Sequence, residues 1–364
     1  MGKKKESYKS KNTWIVFSIV AVLALVIGGY IWYSNITSYV ATIENEKITG
    51  AEYRYFLSTV KYQMEADADL EDEASRKAFW DSKVQGTDAK EVAKQRALDS
   101  VKEYKVQLMK ANENGIFLND NDLKRVEEST NQFLNSIAQA SQMLAGSIDN
   151  VKGTEEAIKE MYGISISECK TIFKNLRLIY KFIEEEQKKM TVTDEEMKTR
   201  YDEDKDIFDT VKVRQILLST WNSESKEPMT DEEKKEVYKR AEEILEKIDQ
   251  GEDMEDMAVE LSDDAGAEKN KGLIEVDYSK TLIDELEPFT SWAVKNKIGD
   301  TGIVETDYGY HISRIEERTN YAEATIKVKN VILSERYEDI LSEWVKEPKY
   351  DIIKNDFALK RVKI

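Results

Sequence analysis

The chain is poor in the residues that many enzyme chemistries and most disulfide scaffolds need: it has one histidine, one cysteine and three prolines in 364 residues. A single histidine, His311, excludes a histidine-rich zinc site and a His-Glu-x-x-His helix. A Ser-His-Asp triad would have to use it, and no Gly-x-Ser-x-Gly turn is present to supply the nucleophile. One thiol, Cys169, gives no internal disulfide, so apolar cores must hold the folded parts together. Its helical setting, Ser167-Glu168-Cys169-Lys170-Thr171, suits a small buried apolar residue. The prolines are Pro228, Pro288 and Pro348, so nothing up to residue 227 breaks a helix by losing a backbone N–H.

Basic residues are outnumbered by acidic ones, 54 to 72, except at the start. The formal net charge is −18; residues 1–13 hold five lysines and one glutamate, +4, which leaves −22 on the rest. A body this acidic repels phosphate backbones, so no nucleic-acid partner is expected. Five acidic or basic residues in a row, Asp202-Glu-Asp-Lys-Asp206, lack the glycine a calcium loop has at its sixth position (Ile207 here) and the glutamate at its twelfth (Val213). They read as a solvated helix end, and neither metal nor cofactor is expected.

What is present begins with the uncharged apolar run Trp14 to Tyr33 behind Lys3, Lys4, Lys5, Lys9 and Lys11. About 20 residues at 1.5 Å each span a hydrocarbon core of roughly 30 Å. Trp14 at one end and Tyr30, Trp32 and Tyr33 at the other suit the two interfaces, and bulky residues rather than a small-x-small site follow. The reading is an uncleaved single-pass anchor over 14–33, with 1–13 in the cytoplasm and the bulk of the chain extracytoplasmic.

Apolar positions then recur at three and four, as in Tyr53, Phe56, Leu57, Val60 and Val92, Ala97, Val101, Tyr104, Leu108, which predicts helices. Gly115 and Gly163 read as stops, Asn119 to Asp122 and Ser165 or Ser167 as starts, and Thr193 with Glu196 as a capping box. From Thr210 the pattern changes to the β-branched run Val211 to Leu218. An amphipathic helix follows from Thr230 to Asp249, ended by Gly251. Next come a short helix with Met254, Met257, Ala258 and Leu261, a strand Leu273 to Val276, a helix near Trp292 and a closing strand His311 to Ile315. The order β-α-α-β-α-β over about 105 residues suits one compact α+β domain. Helical character returns over Tyr321 to Val345, and Tyr350 to Ile364 is too apolar for a free tail.

Several motifs in this second region carry a family likeness. The stretch Val213-Arg-Gln-Ile-Leu-Leu218, Gly251 to Ala258, Ser262-Asp-Asp264, Lys271-Gly272, Pro288-Phe289, Gly299 and Thr306-Asp-Tyr-Gly-Tyr-His-Ile312 resembles a parvulin domain from end to end. Val40 to Thr49 and Met190 to Met197 resemble the edges of the chaperone domain of PrsA/SurA-type foldases, so the likeness covers about residues 39 to 345. It implies an α+β protein in which a mostly helical chaperone domain (39–206) carries an inserted parvulin-like domain (210–317) and is completed by a C-terminal helix and tail (321–364). It further implies cis/trans isomerisation of X-Pro bonds in unfolded or partly folded secreted proteins, with self-association as a homodimer left open.

By the same resemblance His311 is one of two facing histidines beneath a prolyl pocket, and Asp264 is the acidic group near the carbonyl. Thr306 is a partner of the histidine, and Phe289, with Leu286 and Trp292, is pocket wall. The chain departs from the pattern at Gln215, where the family has the second histidine, and at Leu273-Ile274-Glu275, where it has an Asp-Leu-Gly-like turn. Glutamine donates and accepts hydrogen bonds but takes up no charge. Three readings therefore stand: an isomerase foldase, a holdase with a catalytically weak parvulin domain, and an envelope adaptor.

Overall fold

The computed structural model describes residues 38–70, 72–145, 153–222, 225, 227–277 and 286–363. The anchor expected over 14–33 lies outside them. Among the described residues no helix is long and apolar enough to cross a membrane. The fold is mixed α+β and mostly helical. It divides into two compact units, Met1–Lys189 with Tyr337–Ile364, and Met190–Arg336.

In the first unit, strands β1 (Tyr39–Ile43) and β2 (Glu46–Thr49) form an antiparallel hairpin, and β9 (Ile352–Lys354) joins the free edge of β1 with Ala41 opposite Lys354. Thr49 both ends β2 and caps the next helix, Gly50–Asp67, through a reciprocal box with Glu52. Long helices Ala89–Glu113, Asp120–Ala145 and Ile166–Lys188 follow, with a short helix Glu73–Trp80 and a small hairpin of β3 (Lys83–Val84) and β4 (Thr87–Asp88) between. The helix starts at Asn119 and Ser165 and the stop at Gly163, which adopts the left-handed conformation, fall where the sequence places them. Tyr350 is fully buried with Tyr53, Val101 and Ala358, so the apolar tail closes this core. Cys169 is buried, its thiol pushed up to about 11 by desolvation, and packs with Ile158, Ile164 and Ile172.

The second unit is built on a four-stranded antiparallel sheet, order β6-β5-β8-β7, from β5 (Thr210–Ser219), β6 (Leu273–Asp277), β7 (Thr301–Thr306) and β8 (Gly309–Arg318). The closing strand of the sequence reading is a hairpin: β7 and β8 pair from Thr301–Arg314 to Thr306–Gly309 around Asp307-Tyr308. Its first arm, Thr-Gly-Ile-Val-Glu-Thr, holds one glycine and no long β-branched run, which hides it from a pattern search. Helices Asp231–Asp249 and Met254–Leu261 pack Ala241, Ile244, Ile248, Met254 and Met257 against Ile216, Leu218 and Ile312 on one face. Helix Glu287–Lys295 packs Phe289, Ala293 and Val294 against Val211, Val213, Val304 and Ile315 on the other. Alternate residues of β5, β7 and β8 thus divide between the two faces, as the period of two requires.

The helix-to-strand change in the sequence lies between 206 and 210, but the packing boundary lies at 189/190. Met197, Tyr201 and Phe208, from the helices Asp194–Glu203 and Lys205–Phe208, bury against Ala324, Val328 and Ile332 in the first half of the helix Tyr321–Lys346. Within the acidic run, Asp202 pairs with Lys198 and Asp204 with Arg200, as helix-surface pairs.

Candidate functional site

His311 lies near the start of β8, opposite Leu217 of β5 and Val304 of β7, so its side chain shares a sheet face with Gln215, Thr306 and Ser313. It is buried, as are Gln215 and Thr306. Its Nδ1 is 2.6 Å from Gln215 Oε1 and its Nε2 is 2.8 Å from Thr306 Oγ1. Gln215 Nε2 donates to Asp264 Oδ2 at 3.1 Å. These four residues form one continuous hydrogen-bonded run, although 96 positions separate Gln215 from His311 in the chain.

 Asp264 is half-buried, and its second oxygen, Oδ1, accepts the Gly266 N–H at 2.8 Å.

The roles in this run follow from its ends. An ionised carboxylate only accepts, so the Gln215 amide points its N–H group at Asp264 and its oxygen at His311. His311 then carries its proton on Nδ1 and donates it to Gln215, leaving Nε2 to accept the Thr306 hydroxyl, and Thr306 Oγ1 in turn accepts the Tyr308 N–H at 3.2 Å. A glutamine at 215 therefore fixes one tautomer, where a second histidine could reverse. Burial holds the His311 pKa down to about 4 from 6.5, the charge of Asp264 pulling weakly the other way, so the imidazole is neutral at pH 7.

Phe289 lies against His311, ring centroids 5.0 Å apart, and is itself buried. Trp292, one turn further along the same helix, sets its indole against Gly302 of β7 and belongs to the apolar cluster beneath Val304. Leu286 is half-buried at the N-cap of that helix. The structure thus joins His311, Gln215, Thr306, Asp264 and Phe289 directly, whereas Trp292 supports the helix that carries Phe289.

Ser262 is a positioning residue that the sequence reading quotes without a role. Its Oγ accepts the Leu217 N–H at 3.0 Å and the Asp264 N–H at 3.2 Å, which ties the loop bearing Asp264 to β5. A serine two residues before an aspartate at a helix end is the available sign of such a turn.

The neutral histidine has a consequence for stability. Its folded pKa lies below its unfolded value, so as pH falls through about 6.5 the unfolded chain takes up a proton that the folded chain refuses. Stability contributed by this group is complete above that pH, declines down to about 4 and changes no further below, a loss of up to about 3 kcal/mol. Urea unfolding at pH 7 and pH 4.5 should show a larger acid loss for the wild type than for His311→Gln; equal losses would contradict a buried neutral imidazole.

Among the described residues no group of three or more His, Cys, Asp or Glu is placed to hold a metal ion. The arrangement offers a buried aromatic face, a fixed polar floor and one carboxylate.

The model of the PPIC-type PPIASE domain matches residues 197–319. The foldase protein PrsA of Caldanaerobacter subterraneus subsp. tengcongensis is 29% identical over 313 residues, 83% of this chain and 84% of its own. That of Clostridium acetobutylicum is 24% identical over 280 residues, 72% and 74%. The crystal structure of foldase protein PrsA from Streptococcus pneumoniae is 16% identical and covers 89% of this chain and 100% of its own, with a TM-score of 0.38. The chain thus carries a PPIC-type PPIASE domain that contains the whole hydrogen-bonded run, and over most of its length it is similar to foldase proteins PrsA.

Proposed function

We propose that this chain assists the folding of secreted proteins outside the cytoplasm, that its parvulin domain catalyses cis/trans isomerisation of X-Pro bonds, and that residues 14–33 anchor it to the membrane. The observation that carries the enzymatic part is the run Thr306–His311–Gln215–Asp264 with Phe289 on the imidazole. Rotation about an X-Pro bond loses amide resonance and needs no covalent step. An apolar wall that takes the prolyl ring out of water favours the twisted amide, whose carbonyl and nitrogen are less conjugated and less hydrated than in the planar form. Phe289 serves as that wall. Asp264, held at both oxygens by Gln215 and Gly266, presents a fixed negative charge at the edge, and His311 with Thr306 holds Gln215 in place. The neutral His311 transfers no proton at pH 7, in keeping with a reaction that moves none.

The helical unit is the proposed holding surface for unfolded chains. Tyr55, Phe133, Tyr162 and Phe173 form a half-buried aromatic group there, with centroids 5.2 to 6.4 Å apart. A holdase with an idle parvulin domain is the rival reading, favoured by Gln215 standing where the resemblance implies histidine.

Refolding of a secreted protein whose slow phase is limited by prolyl isomerisation separates the two. The full chain should accelerate that phase, and Asp264→Ala should lower the acceleration roughly 10-fold or more while leaving suppression of aggregation within twofold. Unchanged slow phases beside full suppression of aggregation would leave the holdase reading.

A further inference from the structure

Beside Thr306 the second unit has an open cavity of about 440 Å³ whose other walls include Trp221, Lys234, Pro288, Glu305 and Asp307. It adjoins the candidate site through two residues. Thr306 hydrogen-bonds to His311, and Pro288 precedes Phe289 in the helix that forms the apolar wall. A peptide with its prolyl ring at Phe289 therefore has a neighbouring side chain within reach of this cavity, whose size suits one long side chain with its water.

Three features decide which side chain fits. Trp221 is 44% exposed, yet it is held: its Nε1–H donates to the Asp307 carbonyl at 2.7 Å, its backbone N–H donates to Ser219 Oγ, and it bridges to Pro228. A fixed, open indole is the best aromatic face for a cation. Glu305 and Asp307 are both exposed on the β7 end and turn, and Asp264 adds a third carboxylate at the site itself. Against them stands one ammonium, Lys234, half-buried and without an ion pair among the described residues. The lining is net negative, in a chain of net charge −18.

We infer that this cavity is a specificity subsite for a lysine or arginine next to the proline, its cation over Trp221 and facing Glu305 and Asp307. Lys234 limits the preference, because its own charge opposes the incoming cation. The inference rests on the prolyl isomerase reading and adds to it which X-Pro sequences are favoured.

The test uses the full chain and two peptide sets in which Lys, Ala or Glu stands either before or after a single proline. In at least one set, kcat/KM and the Kd measured by calorimetry should favour Lys over Glu roughly 3- to 10-fold at low salt, and less at high salt. Trp221→Leu, and separately Glu305→Gln with Asp307→Asn, should each shrink the Lys/Glu ratio, while Lys234→Gln should raise it. Equal ratios in wild type and variants, or a preference for Glu, would overturn the subsite while leaving isomerisation itself intact. If no peptide is turned over but the Lys peptide still binds more tightly through Trp221, the subsite stands and the catalytic reading falls.

Discussion

Asp209→Ala should destabilise the second unit by about 3 to 5 kcal/mol, the usual cost of leaving a buried charge without its partner. Asp209 is fully buried, and its carboxylate accepts the Tyr201 hydroxyl at 2.6 Å and Arg318 Nη1 at 3.1 Å. Through Nη2, Arg318 reaches the carbonyls of Ala293, Val294 and Asn296 at 2.6 to 3.0 Å. Those are the unsatisfied acceptors at the C-terminal end of helix Glu287–Lys295, where a cation is favoured by the helix dipole. The same helix carries Phe289, so a weakened cap loosens the wall of the candidate site as well. Urea unfolding measures the loss. Asp209→Ala with Arg318→Met should recover part of it, since the stranded charge is then gone; a loss below 1 kcal/mol for Asp209→Ala alone would show that Arg318 finds water instead.

Gly309→Val should cost about 3 kcal/mol or more. Gly309 opens β8 at φ 141°, and a Cβ there would lie 2.1 Å from the Leu218 carbonyl oxygen and 2.9 Å from Ser219 Cα and the Thr220 nitrogen. All three are backbone atoms of the neighbouring strand end, so relief requires β5 and β8 to part where His311 is held between Gln215 and Thr306. Gly299→Ala is the control. Its φ is 90° but nothing lies within 4 Å of the added carbon, so only backbone strain, about 1 kcal/mol or a little more, is expected. Equal effects on the urea midpoint would mean that the close approach at Leu218 is readily relieved.

Much of the fold was written locally. Capping boxes at Ser165, Thr193 and Thr230 begin their helices because each satisfies two N–H groups within four residues, a relation that sequence alone displays. The strand β5 was legible from its β-branched run, and β6 nearly so. Hidden features depended on partners far along the chain. Strand β7 is recognisable only beside β8, and the helices Asp194–Glu203 and Lys205–Phe208 join the second unit only because Ala324, Val328 and Ile332 come back to cover them. At the site, His311, Thr306, Gln215 and Asp264 came from a motif likeness, and in the structure they are hydrogen-bonded neighbours. It did not give the direction of the hydrogen bonds, which the amide of Gln215 sets, nor the part played by Ser262. Arg318 and Asp209 carried no sequence sign, since a buried pair 109 positions apart reads as two ordinary surface charges.

The central claim is that a neutral, buried imidazole and its glutamine partner still form a working prolyl isomerase site. Exchange NMR on an Ala-Pro peptide, with the full chain at catalytic concentration, measures that claim directly. The wild type should raise the cis/trans exchange rate well above the uncatalysed rate and hold it nearly constant between pH 6 and 8, and His311→Ala should lower it roughly 10- to 100-fold with β8 still folded. An exchange rate equal to that of peptide alone, in wild type and in Gln215→His alike, would contradict it.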